Sequence, residues 1–187
     1  VSAAASFEGD ERLRLFCALQ LPERTLDGLV AWQRATFEDV RGVRPVPREH
    51  LHVTLAFLGH RRAAELEAIV GALREAAARA EHPRLAIRRY RETRSVGMLA
   101  CDDEGGRAAA LADDLQQRLV ALGVYERERR RWLPHVTVVR FRERPRLRPA
   151  LPALEPFVPS DAAAFLSRLR PGGARYEVLE SVEVGGR

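Results

Sequence analysis

From Arg12 to Gln20 the chain reads RLRLFCALQ, and its apolar and polar residues alternate well enough for a β-strand. LPE follows, with a proline suited to a helix start, and Leu26, Leu29, Val30, Phe37 and Val40 keep helical spacing, so a first helix is predicted to run to about Val40. RGVRPVPREH reads as a proline-broken loop. HVTLAFLG, residues 52–59, is a strand, and RRAAELEAIVGALREAAARA is a helix with Leu66, Ile69, Val70 and Leu73 on one side. RLAIRRY and SVGMLAC, separated by RETR, predict a hairpin; GGR then breaks the chain. A third helix spans 107–122 with Gly123 as its stop, and HVTVVRFR gives a strand after RWLP. Residues Pro145 to Pro159 are proline-rich and predicted to be irregular or edge-like, and AAAFLSRLR and ARYEVLESVEV are closing strands joined by a PGG turn.

Strands interleaved with helices and hairpins in this order make an α+β protein. At 187 residues the chain fits one domain, long enough to bury a core without disulfides or metals. Residues 1–11 are expected to be a flexible tail and 12–187 a single domain, acting as a monomer. The opening VSAAASFEGDER has neither a basic region nor a long apolar run of the kind a signal peptide needs, no stretch is apolar enough to span a membrane, and a cytoplasmic location is expected. Cys17 and Cys101 stand outside any CxxC or Cys/His cluster and read as reduced, buried thiols.

A net charge of +5 favours polyanionic partners. All 31 basic residues are arginine, with no lysine and no asparagine, and isoleucine occurs only at Ile69 and Ile87, so codon usage accounts for much of the arginine. Arginine is nevertheless the better fork for phosphate oxygens, and a cluster from Arg127 to Arg131 immediately precedes the second HVT.

The chemistry lies in the two strands that open on HVT, eighty-three residues apart. On a strand, residues i and i+2 point the same way, so His52 shares a face with Thr54, and His135 with Thr137. A histidine near its unperturbed pKa of roughly 6.5 gives or takes a proton at neutral pH, and two of them can serve as acid and base. A threonine beside each supplies a neutral donor for a phosphate oxygen.

The paired motifs HVTL and HVTV resemble those of the two-histidine phosphoesterase superfamily. With RLFCALQLP, VPREHLHVTLAFLG, LPHVTVVRF and the late YEVL, residues 12–184 resemble the RNA 2',3'-cyclic phosphodiesterases, also called LigT-like or 2'-5' RNA ligases. The resemblance implies a bilobal fold in which two antiparallel sheets form a central cleft with helices outside. It also implies His52 as proton donor, His135 as proton acceptor, Thr54 and Thr137 holding the phosphate, and Arg140 near it. On a regular strand Arg140, five residues after His135, faces away from it, and a bulge or the strand's end is expected to bring it back, with a structural salt bridge as the plainer role. The implied activity is metal-independent hydrolysis of terminal 2',3'-cyclic phosphates to 2'-phosphates, with 2'-5' ligation as the reverse and no cofactor. The implied partners are RNA or nucleotide ends. The alternatives are a non-catalytic RNA-end or nucleotide binder, and a relative acting on another phosphoester such as 2'-5' oligoadenylate.

His50, His52 and His135 form a conceivable zinc set, though no HExxH or carboxylate-rich spacing supports it. His60 and His82 read as surface or capping residues. Trp32, Trp132, Phe16 and Phe57 are candidates for base stacking, with core packing as the equally simple account.

Overall fold

The computed structural model describes residues 7–171 and 173–185. Its elements run β1 (Arg12–Gln20), α1 (Glu23–Phe37), β2 (Val43–Pro45), β3 (His52–Arg62), α2 (Leu66–Arg79), β4 (Leu85–Glu92), β5 (Val96–Asp103), α3 (Arg107–Ala121), β6 (His135–Phe141), β7 (Asp161–Arg170) and β8 (Gly173–Glu183). The strands pair antiparallel in the order β4-β5-β6-β3-β1-β7-β8, with β2 also beside β6.

This is one curled sheet, but its two four-stranded halves are joined by very little. β3 and β6 share a single registered pair, Val53 with Val136. Three residues further along β6, β2 takes the edge, matching Pro45 to Val139, Arg44 to Arg140 and Val43 to Phe141. β3 therefore leaves β6 after one rung, and the sheet opens into a cleft there. The helices cover the other face: α2 touches β7 and β8, and α3 touches β3 and β5. Their apolar stripes, Leu66, Ile69, Val70 and Leu73 on α2 and Leu111, Leu115 and Leu119 on α3, are buried in the core with Leu13, Leu15, Leu19, Val53 and Val136. Burying such side chains stabilises the fold by about 1.5–3 kcal/mol each.

Several boundaries differ from the sequence expectation. The first helix stops at Phe37, and Val40 lies in a turn, its N–H donating to Phe37 O. The loop over residues 41–50 contains β2, a three-residue edge strand too short to show a period. β3 runs on to Arg62 because β1 pairs with it along its whole length, from Gln20 against His52 to Arg12 against Arg62. The following helix consequently starts at Leu66, after Glu65 has turned back to accept from the Arg62 N–H.

The β4–β5 hairpin is present, and Gly123 ends α3 with φ +71°. The 145–159 stretch is irregular apart from one bridge, Leu85 with Phe157. The closing hairpin β7–β8 is present too, with Gly172 of its PGG turn outside the described residues. Of the expected tail, residues 1–6 also lie outside them. Residues 9–11 are held by the main body, Gly9 O accepting from Ala64 N and Glu11 O from Ala63 N. Cys17 and Cys101 are buried free thiols, and burial pushes each up to about 12. Among the described residues no helix is long and apolar enough to cross a membrane.

Candidate active site at the junction of the two half-sheets

Val53 faces Val136 at the one rung that joins the half-sheets. Read outward from that rung, an antiparallel pair sets His52 towards Thr137 and Thr54 towards His135. The cavities agree. His52, Thr54 and Thr137 line one hollow of about 170 Å³, while Thr54 and His135 line the adjoining one of about 340 Å³. All four side chains are half-buried and project from one face, as the i, i+2 rule requires.

Each strand then breaks its own alternation at the same place. On β3, Cys17 pairs with Ala56 and Ala18 with Thr54, so Leu55 is an extra residue. On β6, Gly97 pairs with Val139 and Met98 with Thr137, so Val138 is extra. Each bulge follows its threonine directly and returns the residue five after the histidine to the cleft face. Arg140 thus lines the hollow with His52 and Thr137, and Phe57 does so from β3.

Gly97 lies opposite the β6 bulge, and a Cβ there would come within 2.6 Å of Val139 Cγ1. A glycine inside a strand is the sequence signal for such a bulge. Two buried glutamines hold the bulged backbones from behind. Gln33 of α1 donates from Nε2 to Val138 O at 2.6 Å and to Val46 O at 3.0 Å, and Gln116 of α3 donates to Leu55 O at 2.8 Å.

The two imidazoles are held differently. His135 places Nδ1 2.8 Å from Leu133 O. A carbonyl only accepts, so Nδ1 carries the proton and the neutral ring keeps its lone pair on Nε2. The His52 ring hydrogen-bonds the His50 backbone, and its Nε2 lies 3.1 Å from Thr54 Oγ1. It rests on an aromatic floor: the Phe16 ring is 5.0 Å away, Phe165 6.1 Å and Tyr176 5.7 Å, with Phe16 and Phe165 stacked on each other. That burial pushes the His52 pKa down to about 4, with positive charge at His50, His135 and Arg140 adding to the effect.

The hollow around His52 also holds His50 and two residues not foreseen from the sequence as site residues, Arg14 and Tyr176. Arg14 lies over the Phe57 ring at 4.7 Å and donates to Ser167 Oγ at 2.8 Å. Tyr176 contacts the His50 ring at 4.2 Å, and burial lowers the His50 pKa, opposed by Glu49 and assisted by Arg140. The signal for Arg14 was the alternation of β1, which sets Arg14, Phe16 and Ala18 on one face.

Among the described residues no three His, Cys, Asp or Glu side chains converge as metal ligands, so His50, His52 and His135 do not form the zinc set considered above. His60 and His82 are exposed and away from the cleft. Trp32 donates to Ala150 O and packs on Phe37, whereas Trp132 lines the larger hollow and donates to Thr54 O at 3.0 Å. Of the 127–131 cluster, Arg130 and Arg131 line that hollow, while Arg127 is paired with Asp113 on α3.

Known proteins share this fold. The sequence profile of the 2'-5' RNA ligase superfamily matches residues 23–172. A protein of Thermus thermophilus named RNA 2',3'-cyclic phosphodiesterase is 34% identical over 188 residues, covering 93% of this chain and 91% of its own. The crystal structure of TT0787, also of Thermus thermophilus, superposes with a TM-score of 0.79 at 30% identity, covering 93% of this chain and 99% of that one. Escherichia coli LigT complexed with NADP+ superposes with a TM-score of 0.77 at 25% identity, covering 93% and 98%.

Proposed function

Because this chain belongs to the 2'-5' RNA ligase superfamily, and within it to the LigT-like RNA 2',3'-cyclic phosphodiesterases, we propose that it opens terminal 2',3'-cyclic phosphates of RNA to 2'-phosphates by two-histidine catalysis without a metal. The observation that carries this reading is the single rung between Val53 and Val136, which brings two HxT faces to one cleft. Water attacks phosphorus and gives its proton to His135 Nε2. The bond from phosphorus to O3' breaks as His52 protonates that oxygen, leaving a 3'-hydroxyl and a 2'-phosphate. Thr54, Thr137 and Arg140 donate to the phosphate oxygens as charge builds on them. With a 5'-hydroxyl in place of water as the nucleophile, the same groups open the ring to a 2'-5' diester, the base taking the hydroxyl proton and the acid protonating O3', which makes 2'-5' ligation a secondary activity.

His52 is neutral in the empty cleft, since its pKa lies at about 4. An anionic phosphate beside it favours the imidazolium, so loading the substrate takes up a proton. The same depressed pKa supports a second reading in which the roles are exchanged, with His52 as base and His135 as acid. A substrate carrying sulfur in place of O3' separates the two, because a thiolate leaves without help from an acid. On it the acid's alanine variant regains turnover and the base's does not.

The test of the reaction itself is hydrolysis of a nucleoside 2',3'-cyclic phosphate in EDTA, with the monophosphates separated by chromatography. A 2'-phosphate is expected. A dominant 3'-phosphate means that O2' leaves and reverses the placement of the substrate, and activity that is lost in EDTA and restored by zinc overturns the metal-free mechanism. Binding of a 2'-phosphate product without any turnover favours the non-catalytic alternative, and preferential cleavage of 2'-5' oligoadenylate favours the other.

A further inference from the structure

The cleft does not end at the histidines. The hollow shared by Thr54 and His135 continues past Trp132 and Met98 to Arg91 and Glu92, and these last two also line a third hollow of about 530 Å³. The far wall of that hollow is the segment RPRLRP, residues 144–149, which contributes Arg144, Arg146 and Arg148. Three arginines alternating with Pro145, Leu147 and Pro149 are stiffened by the prolines, so their order is partly set before anything binds.

This segment is held in a specific form. Glu92, its side chain only 2% exposed, accepts from Tyr90 Oη at 3.2 Å, Arg144 Nε at 3.1 Å, Arg146 N at 2.9 Å and Leu147 N at 2.8 Å. Among the described residues Arg146 alone, apart from glycines, has positive φ, at 58°. Backbone strain of this kind persists where the surroundings impose it, and it gathers at functional sites. Glu92 thus imposes the strain while its own charge is matched. Of the hollow's four guanidinium groups only that of Arg144 has a carboxylate partner among the described residues, and those of Arg91, Arg146 and Arg148 have none. Towards His135, Arg130 and Arg131 line the same hollow as Trp132, Tyr125 and Phe57. Cationic groups along a groove with interleaved aromatic rings are what a single-stranded nucleic acid needs, phosphates on the first and bases on the second.

We propose that the hollow of Arg91, Arg144, Arg146 and Arg148 is a second phosphate site, filled by an upstream phosphate of a single-stranded RNA whose cyclic end lies between His52 and His135. The inference rests on the reading of the site as an RNA-end phosphodiesterase, and it makes oligoribonucleotides the preferred substrates over mononucleotides.

The test compares the wild type with the double variant Arg146→Gly, Arg148→Ala. Glycine takes the positive φ without strain and keeps the N–H that Glu92 holds. RNAs of one to eight nucleotides ending in a 2',3'-cyclic phosphate serve as substrates. Fluorescent oligonucleotides of the same lengths ending in a 2'-phosphate serve as binding probes, titrated at several salt concentrations. For the wild type, kcat/KM is expected to rise with length by at least about tenfold, carried by KM, since a charge-assisted contact is worth that much. In the variant that gain disappears while mononucleotide turnover is unchanged, and the slope of log K against log salt falls by about 0.7 for each phosphate no longer neutralised. Length-independent kinetics and binding in the wild type overturn the inference, as does an equal loss on mononucleotide and oligonucleotide. If the wild type hydrolyses no cyclic phosphate but its length-dependent binding weakens in the variant, the second phosphate site stands and the reaction reading fails.

Discussion

From His52 to Leu58 and from His135 to Phe141, the two central strands bury and expose their residues in the same sequence. Both bulge directly after the threonine, and both bulges are held by a buried glutamine from a helix. Both histidine rings are tied to the backbone two residues before them. The backbone scheme is shared; the surroundings are not. His52 rests on Phe16, Phe165 and Tyr176, whereas His135 opens onto the arm lined by Trp132, Arg130 and Arg131. The fifth position after the histidine is Phe57 on one strand, 46% exposed in the cleft, and Arg140 on the other. One repeated backbone can therefore place two identical side chains in different surroundings, and on the β3 side burial against the aromatic floor lowers the proton affinity of His52.

The hardest test of the pairing removes each histidine in turn. His52→Ala and His135→Ala should each lower kcat on a cyclic-phosphate RNA by about 10²- to 10⁴-fold. A variant that keeps wild-type turnover breaks the symmetry, leaving one histidine structural.

The aromatic floor predicts a pH effect on stability that belongs to the His52 half. Its folded pKa of about 4 lies below the unfolded value of about 6.5, so the unfolded chain binds more protons between the two. The contribution is present in full above pH 6.5 and is lost as pH falls through 4, in total ~3 kcal/mol. Urea midpoints of the wild type and His52→Gln at pH 7 and pH 4.5 should show a smaller decline in the variant. Parallel declines would mean that the floor does not desolvate the ring.

Arg140→Phe makes β6 resemble β3 at its fifth position. It should weaken phosphate and substrate by about 1.5–3 kcal/mol, read as a rise in KM or Kd, because a charged donor is lost. Phe57→Ala should leave the phosphate affinity near that of the wild type. The smallest effect falls on the glutamines. Gln33→Leu and Gln116→Leu should each lower stability by about 0.5–1.5 kcal/mol per hydrogen bond, with Gln33, which serves two carbonyls, the more sensitive. Equal unfolding midpoints for the two variants would count against that ranking.

The helices and the HVT strands were legible in the sequence because their signals are local. Leu66, Ile69, Val70 and Leu73 carry the helical period within one element, and an i, i+2 pair needs no partner strand. β2 was not, since three residues have no period and its existence depends on the edge that β3 vacates on β6. The bulges fall between these cases. Arg140 had to face the wrong way on a regular strand, and that conflict pointed to a bulge or a strand end after His135 without locating it at Val138, whereas Leu55 on β3 gave no such sign. Gln33 stands on the apolar stripe between Leu29 and Phe37, and Gln116 between Ala112 and Leu119, so a polar residue on a buried face was visible in both helices. Its target was not, because the carbonyls lie on strands remote in sequence. For the same reason Arg14 could be placed on a face of β1 while the cavity it lines could not.

The rung between Val53 and Val136 also has a mechanical side. Each half-sheet is stiffened by several ladders, and one pair stitches their backbones together. The angle that sets the gap from His52 to His135 is therefore held mainly by the side chains of the shared core and by α3, which packs on both β3 and β5. A phosphate gripped from both strands acts as a second stitch at the same seam. The substrate then supplies part of the stiffness that its own reaction requires, and releasing the product leaves the seam to its rung and that packing.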